Sequence, residues 1–228
     1  MIKVILWDID GTLLDFLQAE KAGIRSCFEK FELGECTDDM LNTYSAINER
    51  YWKMLEQGMM TKPEILIGRF IEFFREYQLD TSVAEAFNAE YQVRLGDTIC
   101  FHEHALETLK SFKGNVRQYA VTNGTKIAQM RKLQKSGMND IFDDVFISED
   151  IGIEKPNKSF FDGVFSKIGQ YDKSEMIIVG DSLTSDIQGG INAEIKTCWF
   201  NPNRKENTSG ITPDYEIEDI AQIIPIVQ

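Results

Sequence analysis

Two aspartates near the N-terminus have a spacing suited to chemistry on a bound ligand. Asp8 and Asp10 follow the apolar segment 2–7 and precede Gly11. An apolar run of this length is typical of a buried strand, and open parallel α/β sheets bind ligands at the carboxyl ends of their strands. Since Asp-Gly is also an ordinary turn sequence, the pair alone leaves a purely structural role open.

Other polar side chains follow the later apolar segments of the chain in the same way. These residues are Thr122, Asn123, Lys155, Asp181 and Asp186. If the strands are parallel, all of these side chains emerge at one edge of the sheet and can converge with Asp8 and Asp10. Four carboxylates alone would repel one another, but a divalent oxygen-seeking cation and a lysine would balance their charge. We therefore expect a joint functional site here.

The elements that must position these residues alternate between strand and helix after residue 101. The predicted strands are 2–7, 116–121, 145–147, 176–179 and 197–200, with 215–217 as a further edge strand. Alternation of this kind predicts a parallel sheet with helices on both faces. The predicted fold class is therefore α/β, with a Rossmann-like three-layer core.

Between the first two strands the pattern is helical throughout. Apolar residues recur at helical spacing in the segments 18–31, 41–55, 63–74 and 83–95. We expect an all-helical cap at residues 16–96, inserted into a core formed by 1–15 and 97–228. Aromatic residues of this stretch could stack on a nucleobase, but such stripes are more typical of a helix-bundle interior; they include Phe16, Tyr44, Tyr51 and Trp52.

Composition excludes several partners. The 228 residues carry 24 Lys and Arg against 37 Asp and Glu, a formal net charge of -13. This acidity disfavours nucleic acid polymers and anionic membranes, and we expect neither a membrane span nor a secretory signal. The four scattered cysteines indicate reduced packing residues of a cytoplasmic protein. The oligomeric state, monomer or dimer, is left open.

Taken in order, these motifs resemble the haloacid dehalogenase-like hydrolase superfamily, and specifically its helical-cap (subclass I) phosphatases. The matching segments are Asp8–Leu13, Val121–Gly124, Glu154–Pro156, Val179–Ser182 and Asp186–Ile187. Two further segments, 189–193 and 197–201, resemble the branch that contains bacterial pyrimidine 5′-nucleotidases. One departure is Glu194, where relatives usually have glycine, and it predicts a slightly different helix end.

The resemblance implies a role for each acidic residue. Asp8 would be the nucleophile that forms an aspartyl-phosphate, and Asp10 would be the general acid and base. Mg²⁺ would be held by Asp8, the main-chain carbonyl of Asp10, and Asp181. Asp186 would support the metal-bound water or the lysine from outside the metal's immediate ligands.

The resemblance also assigns the remaining polar residues. Thr122, the backbone N–H of Asn123, and Lys155 would bind the phosphoryl oxygens. Thr12 would donate a supporting hydrogen bond to Asp10, or serve packing. Asp10 disfavours dehalogenation, because dehalogenases of the family lack an acid at that position.

The implied activity is Mg²⁺-dependent hydrolysis of a small phosphorylated metabolite, plausibly a pyrimidine nucleoside 5′-monophosphate. Two alternatives stay open at this point. One is a phosphosugar phosphatase or phosphomutase of the same superfamily. The other is a catalytically silent, phosphate-binding regulatory module, against which the intact set of polar residues argues.

Overall fold

A six-stranded sheet lies at the centre of the computed structural model, which describes residues 1–228. The strands are β1 (Val4–Trp7), β2 (Arg117–Thr122), β3 (Asp144–Ile147), β4 (Met176–Gly180), β5 (Lys196–Phe200) and β6 (Tyr215–Ile217). They are ordered β3-β2-β1-β4-β5-β6, and every neighbouring pair is parallel. The predicted parallel sheet is confirmed, and 215–217 forms an edge strand as expected.

Four longer helices separate β1 from β2 along the chain. They are α1 (Phe16–Lys30), α2 (Asp38–Glu56), α3 (Lys62–Glu76) and α4 (Ala84–Asp97), with a 3₁₀ turn at Thr81–Val83 before the last. Local sequence explains where they begin: Asp15 accepts a hydrogen bond from the Gln18 backbone at the start of α1, and Thr61 and Glu64 form a capping box at α3.

Most aromatic residues of these helices form a buried interior, whereas Phe16, Tyr51 and Trp52 are half-buried. Sixteen buried residues make one hydrophobic cluster, in which Tyr44 has no exposed surface and stacks on Phe70 with ring centroids 5.1 Å apart. Tyr44 is therefore a packing residue. The division of the chain into a cap (16–96) and a core (1–15 and 97–228) stays a prediction, which we take up under the proposed function.

The remaining helices lie on both faces of the sheet. They are α5 (Ala105–Phe112), α6 (Lys126–Ser136), α7 (Ser148–Ile151), α8 (Lys158–Ile168), α9 (Gln188–Ala193) and α10 (Ile224–Val227), with a π-helix at Leu183–Ile187 and 3₁₀ turns at Met138–Asp140, Lys173–Glu175 and Ile220–Ile223. None of the helices has both the length and the apolar character needed to cross a membrane.

Alternation along β1 produces the three layers. Successive side chains of a strand point to opposite faces, so Trp7 packs in the cluster that contains Leu109 of α5. Its neighbour Leu6 packs in the cluster that contains Phe161 of α8. The sheet is thus covered on both sides, as the near-continuous apolar sequence of its parallel strands requires.

Helix α6 is shared between the sheet and the four-helix stretch. Its Leu133 belongs to one of the sheet's clusters, whereas its Ala128 belongs to the cluster of α1–α4. At its N-terminus Thr125 donates a hydrogen bond to Gln92 of α4 (2.7 Å). This helix therefore couples the two parts of the molecule.

Glu194, the residue that departs from the usual glycine, keeps a left-handed helix end. Its backbone has φ 62° and ψ 35°, and its N–H bonds the carbonyls at the end of α9. The expectation of a different helix end is therefore wrong, because the chain adopts the glycine-like conformation with a non-glycine residue. A non-glycine residue in the left-handed backbone region lowers the stability of the fold by roughly 1 kcal/mol.

Replacing Glu194 by glycine should therefore stabilise the protein. We expect Glu194→Gly to raise the free energy of unfolding by about 1 kcal/mol, and Tm by about 2–4 °C for a chain of this size, measured by thermal unfolding.

Glu194→Gln is the matched control. It removes the exposed ion pair with Lys173 (2.6 Å) but keeps the strained backbone, so its effect should stay below about 1 kcal/mol. A lower Tm for Glu194→Gly than for Glu194→Gln would contradict the explanation.

Candidate active site

The predicted convergence of strand ends occurs where β1 lies between β2 and β4. Asp8 directly follows β1, Thr122 ends β2, and Asp181 directly follows β4. Trp7 is in register with Ala120 on one side and with Val179 on the other, so the three strands end at the same level. The side chains that follow them are therefore brought to one edge of the sheet.

Lys155 is the hub of this edge. Its ammonium Nζ donates to Asp8 Oδ1 (2.7 Å), to Asp186 Oδ1 (2.7 Å) and to the Val121 carbonyl oxygen (2.8 Å). Only 1% of the residue is exposed. Burial lowers the pKa of Lys155, but the carboxylates of Asp186 and Asp8 outweigh it and raise the pKa above its ordinary value. The ammonium is thus charged at neutral pH, with all three protons donated.

Asn123 fixes the backbone that carries Lys155. The Asn123 side chain donates from Nδ2 to the Lys155 carbonyl (2.9 Å), and its Oδ1 accepts from the Lys155 N–H (2.9 Å). Thr122 is buried, and its Oγ1 accepts from the Gly124 N–H (3.0 Å). The structure thus brings three predicted phosphate-binding residues into one connected group.

Three carboxylates next to Lys155 form a cluster suited to a divalent cation. One oxygen atom each of Asp8, Asp181 and Asp186 lies within 4.8 Å of the others. Part of Asp181 is exposed, so the cluster can be reached from outside. Oxygen-only donors of this kind are what Mg²⁺ prefers.

The pKa shifts of these carboxylates also favour a bound cation. Burial raises the pKa of Asp8 well above its usual range. Desolvation by the surrounding protein atoms, followed by the charge of Asp186, raises the pKa of Asp181 to about 7. The single Lys155 ammonium thus compensates only part of the negative charge of the cluster, and a bound cation would supply the rest.

The turn at Gly11 makes room for this cluster. Gly11 has φ 87°, and a Cβ there would lie 2.6 Å from Asp181 Oδ2. Glycine is therefore required both by the backbone conformation and by the close approach of the acid. The donor set and this cradle fit Mg²⁺.

The predicted partner of Thr12 is wrong. Thr12 Oγ1 lies 3.3 Å from Asp8 Oδ2 and 3.3 Å from Asp181 Oδ1, and its hydroxyl supports these two acids rather than Asp10. The Asp10 carboxylate is instead bonded to residues of α6.

Two residues that contact Asp10 were not found from the sequence. Gln129 Nε2 donates to Asp10 Oδ2 (2.6 Å), and Lys132 Nζ donates to Asp10 Oδ1. Both are fully buried on α6. The available signal was the presence of Gln and Lys three residues apart on a buried helix face, where apolar residues are the rule.

Two contacts from the helical stretch to the site were also missed. Glu56, the last residue of α2, accepts hydrogen bonds from Thr184 and from Ser182 (3.3 Å), next to Asp181. These partners are more than a hundred residues apart along the chain, so no local pattern reveals them.

The second contact comes from the start of α3. Lys62 is buried, and its Nζ lies 2.5 Å from Ser148 Oγ and 3.4 Å from Glu154, which directly precedes Lys155. The α2–α3 hairpin therefore touches both of the loops that carry Asp181 and Lys155.

The raised pKa of Asp181 predicts a pH-dependent effect of its removal. In EDTA, Asp181→Asn should resist urea better than the wild type at pH 8, with the advantage shrinking toward pH 5. Between the ordinary pKa of an aspartate and the native pKa of about 7, the native state holds a proton on Asp181 that the unfolded chain has released. The wild type therefore loses stability as the pH rises through this range, and the loss is complete above about pH 7. Urea unfolding of both proteins at pH 5, 6, 7 and 8 measures this difference in stability.

Asp162→Asn is the control, because Asp162 is an exposed carboxylate paired with Lys158. It should show no such pH-dependent gain. Added Mg²⁺ should reverse the order at pH 8, since only the wild type keeps all three carboxylates. An advantage of Asp181→Asn that does not change with pH would contradict the assignment.

Comparison with known proteins places this geometry in a family. The model of the haloacid dehalogenase-like hydrolase family matches residues 5–200. The HAD-hydrolase YfnB of Bacillus subtilis is 36% identical over 225 residues, covering 99% of this chain and 95% of that protein. A crystal structure of YfnB bound to magnesium has a TM-score of 0.91 and 34% identity, covering 99% of this chain and 98% of that chain.

Two further relatives are pyrimidine 5′-nucleotidases. PynA of Streptococcus pneumoniae is 33% identical, covering 94% of this chain and 90% of that protein. YjjG of Escherichia coli is 31% identical, covering 96% of this chain and 95% of that protein. The sequence motifs, the parallel sheet and these similarities agree, and the chain belongs to the haloacid dehalogenase-like hydrolase family.

Proposed function

We propose that this protein is a Mg²⁺-dependent phosphomonoester hydrolase that works through an aspartyl-phosphate on Asp8. The observation that carries the proposal is the buried Lys155 ammonium, which joins Asp8 to Asp186 beside the carboxylate of Asp181. This arrangement presents a nucleophilic carboxylate next to positive charge that can receive phosphoryl oxygens. The nucleotidase relatives also support a phosphomonoester hydrolase.

In the first step a carboxylate oxygen of Asp8 attacks phosphorus. A bond forms between that oxygen and phosphorus as the bond from phosphorus to the leaving oxygen breaks. Asp10 donates its proton to the leaving oxygen, so the product departs as an alcohol. A carboxylate nucleophile needs no activating base, in keeping with a site that contains no histidine ligand or base.

In the second step water attacks the phosphorus of the aspartyl-phosphate. Asp10, now ionised, accepts the proton of this water, and Asp8 is released with inorganic phosphate. Thr122, the Asn123 N–H and Lys155 bind the phosphoryl oxygens, whose charge grows in both transition states. Mg²⁺, held by Asp8, the Asp10 carbonyl and Asp181, would supply electrostatic stabilisation of the phosphoryl oxygens.

The substrate class that we propose is the pyrimidine nucleoside 5′-monophosphates. PynA and YjjG, both pyrimidine 5′-nucleotidases, cover at least nine-tenths of this chain. The net charge of -13 favours a small anion brought in with a cation over a polynucleotide. The phosphosugar phosphatase, phosphomutase and silent-module alternatives are outcomes of the test below.

Purified protein with Mg²⁺ should release inorganic phosphate from pyrimidine nucleoside 5′-monophosphates. We expect kcat/KM to exceed that for purine nucleotides and hexose phosphates by about tenfold, equivalent to about 1.4 kcal/mol. EDTA should abolish release, and Asp8→Asn should lower kcat by about 10³-fold or more. A phosphate-release assay over these substrates measures each quantity.

Asp162→Asn is the control and should retain wild-type turnover. Preferred hydrolysis of hexose phosphates would favour the phosphosugar alternative, and isomerisation without phosphate release would favour a mutase. Phosphate binding with no turnover on any substrate would support the silent module. Full activity of Asp8→Asn would rule out the covalent mechanism.

We further propose that residues 16–96 act as a lid on this site, with hinges near Asp15–Phe16 and Gly96–Asp97. The contacts of Glu56 with Ser182 and Thr184, and of Lys62 with Ser148 and Glu154, support this role. They hold the α2–α3 hairpin over the two loops that carry Asp181 and Lys155. Closure would exclude water and place the leaving group.

Loss of these contacts should weaken closure. We expect Glu56→Gln combined with Lys62→Met to lower kcat/KM by about tenfold, since each variant removes a charge-assisted hydrogen bond. Amide exchange of residues 57–61 should become faster. Glu49→Gln is the control, because Glu49 is an exposed α2 carboxylate paired with Lys53. Unchanged exchange and unchanged kcat/KM would contradict the lid.

A further inference from the structure

We propose that Gln129 and Lys132 are positioning residues for Asp10, which they hold by both of its carboxylate oxygens. The inference rests on the proposed function, in which Asp10 is the general acid and base. We call these two residues the Asp10 clasp.

The first support is the geometry of the clasp. Gln129 Nε2 lies 2.6 Å from Asp10 Oδ2, and Lys132 Nζ donates to Oδ1. Gln129 and Lys132 are three residues apart on α6, and residues at this spacing share a helix face. A carboxylate held at both oxygens by one rigid helix has a single orientation, whereas a free aspartate samples several rotamers.

The second support is the burial of Lys132. Its side chain is 1% exposed, and its ion pair is with Asp10. Its ammonium also lies 5.5 Å from the ring centroid of Phe16, the first residue of α1. A buried ion pair is weak evidence for stability, because apolar residues of similar volume stabilise a core as well or better. A role in placing Asp10 would explain why a charged residue, rather than an apolar one, is buried at position 132.

The third support is an unsatisfied atom on Gln129. Its Oε1 is buried and has no hydrogen-bond partner, although buried polar atoms are nearly always paired. Rotating the amide would satisfy nothing, because it would set Oε1 against the oxygen of Asp10. Gln129 therefore keeps its amide directed at Asp10 although no protein group pairs with its Oε1.

The loop after β2 is also shaped to admit the clasp. A Cβ on Gly124 would lie 2.1 Å from Gln129 Nε2. Any side chain at position 124 would therefore push the Gln129 amide off Asp10. Gly124, the last residue of the motif Val121–Gly124, thus leaves room for the clasp.

Orientation of Asp10 matters most for a leaving group that departs poorly unless it is protonated. The alcohol of a nucleoside monophosphate is such a group, whereas p-nitrophenolate leaves readily without a proton. A residue that places Asp10 should therefore affect the two substrates unequally. A residue that only supports the fold should affect them alike.

The test compares these two substrates in Lys132→Met and Gln129→Met, which keep the side-chain length. We expect kcat/KM on a pyrimidine nucleoside 5′-monophosphate to fall about 10- to 100-fold, while kcat/KM on p-nitrophenyl phosphate changes by less than about threefold; kcat/KM is compared because it excludes the second step, in which Asp10 serves both substrates alike. Lys126→Met is the matched control, since Lys126 lies on the same helix, is exposed and pairs with Asp150. It should leave both rates unchanged.

A double-mutant cycle with Asp10→Asn then tests whether the clasp variants lower activity through Asp10. If the clasp acts through Asp10, adding Lys132→Met to Asp10→Asn should cause no further loss on the nucleotide. Multiplying losses would overturn the proposal, as would equal losses on both substrates in the single variants. Should Lys132→Met fail to fold, as judged by circular dichroism, Gln129→Met decides, because it removes only a neutral group.

The failure of this inference is distinguishable from that of the proposed function. An inactive wild type, or an Asp10→Asn variant without leaving-group dependence, would overturn the acid–base role of Asp10 and the clasp with it. If Asp10→Asn shows that dependence and the clasp variants do not, only the clasp is overturned.

Discussion

The pairing of the Lys155 ammonium with Asp8 and Asp186 is the interaction on which the rest of the site depends. It joins three segments that are far apart in the chain, and its third bond goes to the backbone of β2. With Asp181 included, three carboxylates and one ammonium leave a formal charge of -2. A divalent cation cancels that charge, which is why the lysine and the metal in the proposed function complement rather than replace each other.

Parallel strands explain why much of this site could be predicted from the sequence. Apolar runs identified β1, β2 and β4, and the side chains after such strands must meet at one edge. The sequence therefore correctly predicts that Asp8, Thr122 and Asp181 meet at this edge. The convergence follows from backbone pairing alone, so it needs no knowledge of side-chain packing.

Side-chain partners across the tertiary structure could not be predicted in the same way. In the sequence, Lys132 is only a polar residue within a helix. It contacts Asp10 because of the way α6 packs against the sheet. Glu56 and Lys62 meet partners that sequence spacing does not relate to them. The Thr12 prediction failed for a related reason, because the direction of a side chain in a tight turn depends on dihedral angles that residue types do not determine.

In the proposed chemistry, the sheet edge and helix α6 hold different functional groups. The sheet edge holds Asp8, Lys155 and Asp181, which act on the phosphoryl group in the proposed function. Asp10 is held instead by the helix that also packs on α4, so the residue proposed to serve the leaving oxygen lies where the proposed lid meets the sheet. The phosphoryl chemistry can thus stay constant while the environment of the leaving group changes.

The register of β1 with β2 has a consequence for chain entropy. Val4 pairs with Arg117, so the four helices and α5 lie in the loop that must close before these strands meet. The four helices lengthen this connection from about 30 to about 110 residues, which is about two doublings and costs only about 1 kcal/mol of closure entropy. The four helices also supply 15 of the 16 residues of one buried cluster, so this loop can collapse locally before β1 and β2 associate. The sheet therefore tolerates large changes in the length and sequence of the stretch that it encloses.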